Sequence, residues 1–153
     1  MSILSSLNAA ELTLTRVLPY PVVALALRMA LAIPFWFSGL TKWDGFLKLS
    51  ATPLLLFQNE FKLHIMGKAY DYPFPLVAAW GSSIAEIVLP ILLVLGLTTR
   101  LAAFGLLVMT ALIQLTIPTG WPIHATWAAM AAGVVLLGPG KLSVDGVLSR
   151  AGG

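Results

Sequence analysis

Along most of this chain apolar residues run together instead of alternating with polar ones. Four stretches are apolar on nearly every face: 22–41, 76–96, 101–117 and 123–137. A helix needs about 20 such residues to cross a hydrocarbon core of about 30 Å, so each stretch is predicted to span a membrane. The second and third are joined by the short link "LTTR", and the fourth ends at "GPG". Short links join antiparallel neighbours. The prediction is an all-α fold, a four-transmembrane-helix bundle forming one membrane domain over residues 1–153.

Residues 42–75, between the first two spans, hold enough chain for an extra element. In "TPLLLFQNEFKLHIM", Thr52 suits an N-cap and Pro53 the first helical position. Leu54, Phe57, Phe61 and Ile65 recur at helical spacing, whereas Asn59, Glu60 and Lys62 are polar. The pattern predicts an interfacial helix over about 53–66, too short and too charged to span. "YDYPFP" follows, and Tyr and Trp near span ends suit a belt at headgroup level.

Composition sharpens the membrane reading. Hydrophobic residues make up 59% of the chain and charged residues 10%, with a mean hydropathy of +0.94; soluble domains carry about 25% charged residues. There is no cysteine, which excludes thiolate nucleophiles, zinc–thiolate sites, iron–sulfur clusters and covalently attached haem. The net charge of +3 is scattered, with no basic run for nucleic acid. The N-terminus holds Glu11 and Arg16 and no positive segment before its first apolar residues, so the first span is expected to be an uncleaved insertion signal. With the N-terminus inside, the inner segments carry Arg16, Arg100, Lys141 and Arg150. The first outer loop then carries Lys42, Lys48, Lys62 and Lys68, and the last outer loop carries no Lys or Arg. Weighting short loops more heavily favours both termini on the cytoplasmic side.

Ionisable residues inside spans are costly and usually mark function. Arg28 lies within the first span, on a stripe with Ala32, Phe35, Gly39 and Lys42; the alternative is an arginine that snorkels to the interface. Glu86 lies near the middle of the second span, on a small and polar face with Ala79, Ser82, Ser83 and Pro90. It must be neutral, paired or beside water. In antiparallel spans Arg28 and Glu86 are expected to approach within one to two turns and pair, forming a functional polar centre or an ion pair that fixes register. Thr110 and Gln114 share a face of the third span, for which hydrogen bonding between helices is the plainer account. His124, between Trp121 and Trp127 in "GWPIHATW", reads as an interface anchor or as a proton-handling group. Glu86, Arg28 and His124 are the candidate catalytic residues, and Lys42, Trp36, Gln114 and Trp121 the candidate contacts for a bound quinone-like ring. Glu60 and His64, four apart on the expected interfacial helix, fall short of a metal site. "GPGKLS" is not a phosphate cradle.

"RMALAIPFWFSGLTKWDGF", "AEIVLPILLVLGLTTRLAA" and "GPGKLSVDGVL" together resemble, in order and spacing, the signatures of the DoxX family. The resemblance implies a bacterial inner-membrane protein of four helices, with Arg28, Lys42, Glu86, Arg100 and Asp145 at motif positions. It also implies links to quinone-coupled oxidation and to membrane oxidoreductase assemblies with soluble partners. "LFQNEF", "YDYPFP" and "GWPIH" look like the subset that accompanies small metal-stress peptides and their modifying enzymes, and His124 belongs only to that subset. Two readings follow: a quinone-interacting subunit of a membrane oxidoreductase, or a non-catalytic membrane partner that docks a soluble enzyme or assists peptide handling. The expected partners are the lipid bilayer, another protein and further copies of the chain, with no nucleic acid.

Overall fold

A computed structural model describes residues 12–13 and 17–152, so Glu11 and Arg16 lie outside the described residues. Four helices, α1 (Tyr20–Leu40), α3 (Pro75–Leu95), α4 (Thr99–Thr116) and α5 (Trp121–Leu137, entered through a 3-10 turn at Pro118–Gly120), are long and apolar enough to cross a membrane. They pack in a ring, α1 against α3 and α5, and α4 against α3 and α5. The core combines Leu31, Phe35, Leu93, Leu106 and Val134 with Ala32, Ala102, Ala103 and Ala131, small side chains that let the helices approach. Phe37, Leu101, Phe104 and Leu136 point outward and are exposed. A bilayer is the solvent that makes such a surface stable, and the protein is a multi-pass membrane protein.

Helix ends follow local chemistry. Pro21 and Pro75 occupy the first turns of α1 and α3, where no backbone N–H is needed. Gly96 ends α3 at φ +71°, and the Leu97 N–H donates back to the Leu92 carbonyl at 2.9 Å, which places this glycine in the left-handed C-terminal cap. A last short helix, α6 (Val144–Ala151), starts at Ser143, whose hydroxyl accepts from the Gly146 N–H at 3.0 Å.

The segment between α1 and α3 departs from the single interfacial helix expected over 53–66. After a small hairpin, β1 (Trp43–Gly45) with β2 (Lys48–Leu49), comes α2 (Ala51–Leu55), continued by a π-helical turn at Leu56–Glu60. A second hairpin follows, β3 (Lys62–Ile65) with β4 (Lys68–Asp71). The N-cap position of α2 is Ser50, not Thr52. The helix stops because Met66 and Gly67 adopt φ +50° and +78°, the backbone of a tight two-residue hairpin turn, and because Lys62 pairs across the strands with Asp71. Leu54, Phe57, Phe61 and Ile65 fit a helical period, but that period carries no information about this turn.

Candidate functional site

The polar residues inside the bundle divide between its two ends. At the end that carries the hairpins, Glu86 on α3 is 4% exposed and forms an ion pair with Lys42, just beyond the C-terminus of α1. Lys42 Nζ also donates to Ser38 Oγ at 3.3 Å. The helices touch here because residue 39 is glycine: a Cβ would lie 2.9 Å from the Glu86 carbonyl oxygen. Pro90, one turn on, offers that carbonyl no N–H.

His124 lies in the first turn of α5 and is 7% exposed. Its Nδ1 is 2.8 Å from Gln114 Oε1, while Gln114 Nε2 donates to the Pro118 carbonyl at 3.0 Å. With the amide NH2 engaged at Pro118, Oε1 is the acceptor and Nδ1 must carry the proton. Gly120 leaves room for the ring, since a Cβ there would fall 2.7 Å from Nε2. Trp127 packs beside the imidazole at a centroid distance of 5.3 Å and against Phe35 at 5.2 Å.

Lys42, Glu86 and His124 line a chamber of about 580 Å³ between the helices at this end. Its walls are mostly apolar, with Phe35, Met109, Ile113 and Trp127 from the bundle. The segment after α1 roofs it with Pro53, Leu56, Phe57, Phe61 and Tyr72. The π turn and the hairpin hold the roof through edge-on contacts of Phe57 with Phe61 and with Tyr72, at 5.2 and 4.8 Å. The Tyr72 hydroxyl reaches Thr116 Oγ1 at 2.5 Å, and His64 Nδ1 reaches the Leu115 carbonyl at 3.1 Å. An apolar chamber of this size with a few convergent polar groups suits a small amphipathic ligand.

Arg28 belongs to the opposite end, which overturns the expected pairing with Glu86. Antiparallel register from the Gly39–Glu86 contact sets Arg28 three helical turns, about 16 Å, from the carboxylate level. That gap is too great for an arginine to bridge. Fully buried, Arg28 instead donates to the Leu93 and Val94 carbonyls at 3.2 and 3.4 Å and to the Leu142 carbonyl. The free carbonyls of a helix C-terminus attract a cation. Gly96 gives the guanidinium its space, because a Cβ there would collide with Arg28 Nη1. Beside it Asp145 accepts from the Thr98 N–H at 2.9 Å, the Thr99 N–H at 2.8 Å and the Thr99 hydroxyl at 2.7 Å, capping α4 from another helix. Burial pushes this carboxyl up, but the bonds from Thr99 and Thr98 and the nearby Arg28 charge outweigh it and hold the group below the usual carboxylate range.

The other expected ligand contacts separate. Gln114 acts through His124. Trp36 lines a shallow apolar groove between α1 and α3, apart from the chamber, and Trp121 is exposed. Thr110 bonds within its own helix to the Leu106 carbonyl at 2.7 Å. Glu60 and His64 fall on a π turn and a strand, so their helical spacing is lost. Tyr72, Phe57 and Phe61 as chamber walls, and Thr99 as the partner of Asp145, were missed. The aromatic pattern of the first three is visible in the sequence, but the contacts of Tyr72 with Thr116 and of Thr99 with Asp145 bridge 44 and 46 residues of chain and leave no local signal.

Fold and site together define a four-helix membrane protein with a polar clamp at one end and a lined chamber at the other. The DoxX family profile matches residues 23–119, and the chain belongs to the DoxX family. A relative from Haemophilus influenzae, described as an uncharacterized protein, is 28% identical over 142 residues, which is 84% of this chain and 85% of the relative. No solved structure matches significantly.

Proposed function

We propose that the protein is a quinone-interacting subunit of a membrane oxidoreductase system in a bacterial inner membrane, with both termini cytoplasmic and the chamber toward the outer face. The observation that carries this is the chamber: about 580 Å³ within the hydrocarbon-spanning bundle, mostly apolar, with Lys42, Glu86 and His124 at its wall. A ring with polar oxygens and an apolar body matches that division of the surface. Glu86 and His124 handle protons at the ring oxygens, Lys42 balances charge, and Gln114 orients the imidazole. Arg28 holds the far end of the bundle together and acts on the ring only through the fold. A chain without cysteine has no thiolate or iron–sulfur centre, so electrons come from a bound cofactor or a protein partner.

The test is to purify the protein in detergent, extract its bound lipids and identify them by mass spectrometry. Quinone at about one per chain is expected, and Gly81→Phe, which fills the chamber, should lose it. An apo-protein that still binds a soluble partner would refute the proposal and leave a docking role.

A further inference from the structure

We propose that the chamber selects the reduced, hydroxyl-bearing form of its ligand, a hydroquinone, over the oxidised quinone. This rests on the chamber being a quinone-class site and comes from the hydrogen-bonding capacity of its wall. Most donors there are already committed. The Thr41 hydroxyl donates to the Ser38 carbonyl at 2.8 Å, that of Ser82 to Ala79 at 3.2 Å and that of Thr116 to Leu112 at 2.8 Å. Since the Thr116 proton is spent, the Tyr72 hydroxyl donates its own to Thr116 Oγ1. Two protons of the Lys42 ammonium go to Glu86 and Ser38, leaving its third N–H, the Ser38 hydroxyl and the Trp127 indole N–H as open donors.

The open acceptors are stronger. Gln114 fixes the proton of a neutral His124 on Nδ1, so Nε2 presents a lone pair. Nε2 has no partner among the described residues, yet the sealed, unpartnered side-chain atoms are Arg28 Nε, Trp43 Nε1 and Ser50 Oγ, so it opens to space. The second carboxylate oxygen of Glu86 is open in the same sense, because Lys42 engages Oε2. The imidazole lone pair and the carboxylate oxygen belong to two residues that line one chamber, and together they invite two O–H groups. A quinone carbonyl, which only accepts, leaves both unused and competes for the Lys42 and Ser38 protons.

Calorimetric titration of the whole chain in detergent tests this. The probes are a decyl-substituted benzoquinone, its hydroquinone kept reduced under argon, and the dimethyl ether of that hydroquinone. Gly81→Phe supplies the micelle-partition baseline. The hydroquinone is expected to bind about tenfold more tightly than either acceptor-only probe, the worth of one to two added hydrogen bonds. His124→Phe should cut that ratio to about threefold or less, and Gln114→Leu, which frees the tautomer, should also narrow it. Equal or reversed preference in the native protein overturns this inference and spares the quinone site. Failure of all three probes above the baseline overturns both.

Discussion

Replacing Arg28 by Met decides whether this buried cation serves the ligand or the fold. Methionine retains much of the apolar stem and removes the guanidinium, so little cavity forms. The loss is then the bonds to Leu93, Val94 and Leu142, two firm and one long. A bond to a charged group contributes about 1.5–3 kcal/mol, and of the three carbonyls Leu93 keeps the Gly96 N–H at 3.2 Å while those of Val94 and Leu142 bear the desolvation cost. Removal of the charge itself returns part of this, because a fully buried guanidinium carries its own desolvation penalty. The net destabilisation should be about 3 kcal/mol, a fall in melting temperature of about 6–12 °C for a chain of this size. The assay is a thermal melt in detergent by circular dichroism, paired with hydroquinone titration well below the new midpoint. Lower stability with unchanged affinity is expected, since the chamber lies about 16 Å away in depth. A native melting temperature with lost binding would refute the clamp and return Arg28 to the ligand.

Three further outcomes follow from the same geometry. Gly81→Phe places a ring in the chamber where a Cβ meets nothing within 4 Å; binding should vanish while stability holds or rises by about 0.3–0.5 kcal/mol from the helical propensity gained, as titration and a melt would show. Lys42→Met leaves the Glu86 carboxylate unpaired within a span and should cost about 3–5 kcal/mol. Adding Glu86→Gln should recover most of that loss in a double-mutant cycle, and Glu86→Gln alone should fold but bind the hydroquinone more weakly in the titration. Asp145→Asn removes an acceptor from Thr98 or Thr99 and should cost about 2–3 kcal/mol at neutral pH. Because the folded-state carboxyl is held low, its contribution is complete above the unfolded value of about 3.9 and lost as pH falls through the folded value. The gap between native and variant melting temperatures should therefore close in acid and stay constant between pH about 6 and 8.

How much of this was legible in the sequence depends on the range of the interaction. Spans are a one-dimensional property, and the four apolar stretches became α1, α3, α4 and α5 because length and hydropathy alone decide whether a helix crosses lipid. The inward faces were legible for the same reason: Arg28, Ala32, Phe35 and Gly39 share a buried stripe, as do Ala79, Ser83, Glu86 and Pro90. Depth was not legible, because facing stripes slide past one another without changing either pattern. Register came from a contact with no local signature, the glycine at 39 against the backbone of Glu86. The membrane also hid the hairpins: 62–71 carries the short apolar periodicity that suits either helix or strand, and the Met66–Gly67 turn settles it.

The same register explains why two charged centres stand in one small bundle without forming a single site. Lys42 and Arg28 lie on one face of the first span's stripe but about four turns, roughly 21 Å, apart. Each cation reaches a different level of α3, one the buried carboxylate near its middle and the other the carbonyls of its last turn. At the Arg28 end both terminal guanidinium nitrogens are tied to backbone carbonyls, and Asp145 is tied to Thr98 and Thr99. The Lys42 end leaves acceptors open under a roof of short, separately folded pieces. The proposed ligand would need the second kind of structure. The first kind keeps the helices in register, so a variant that loosens Arg28 should change stability long before it changes what the chamber binds.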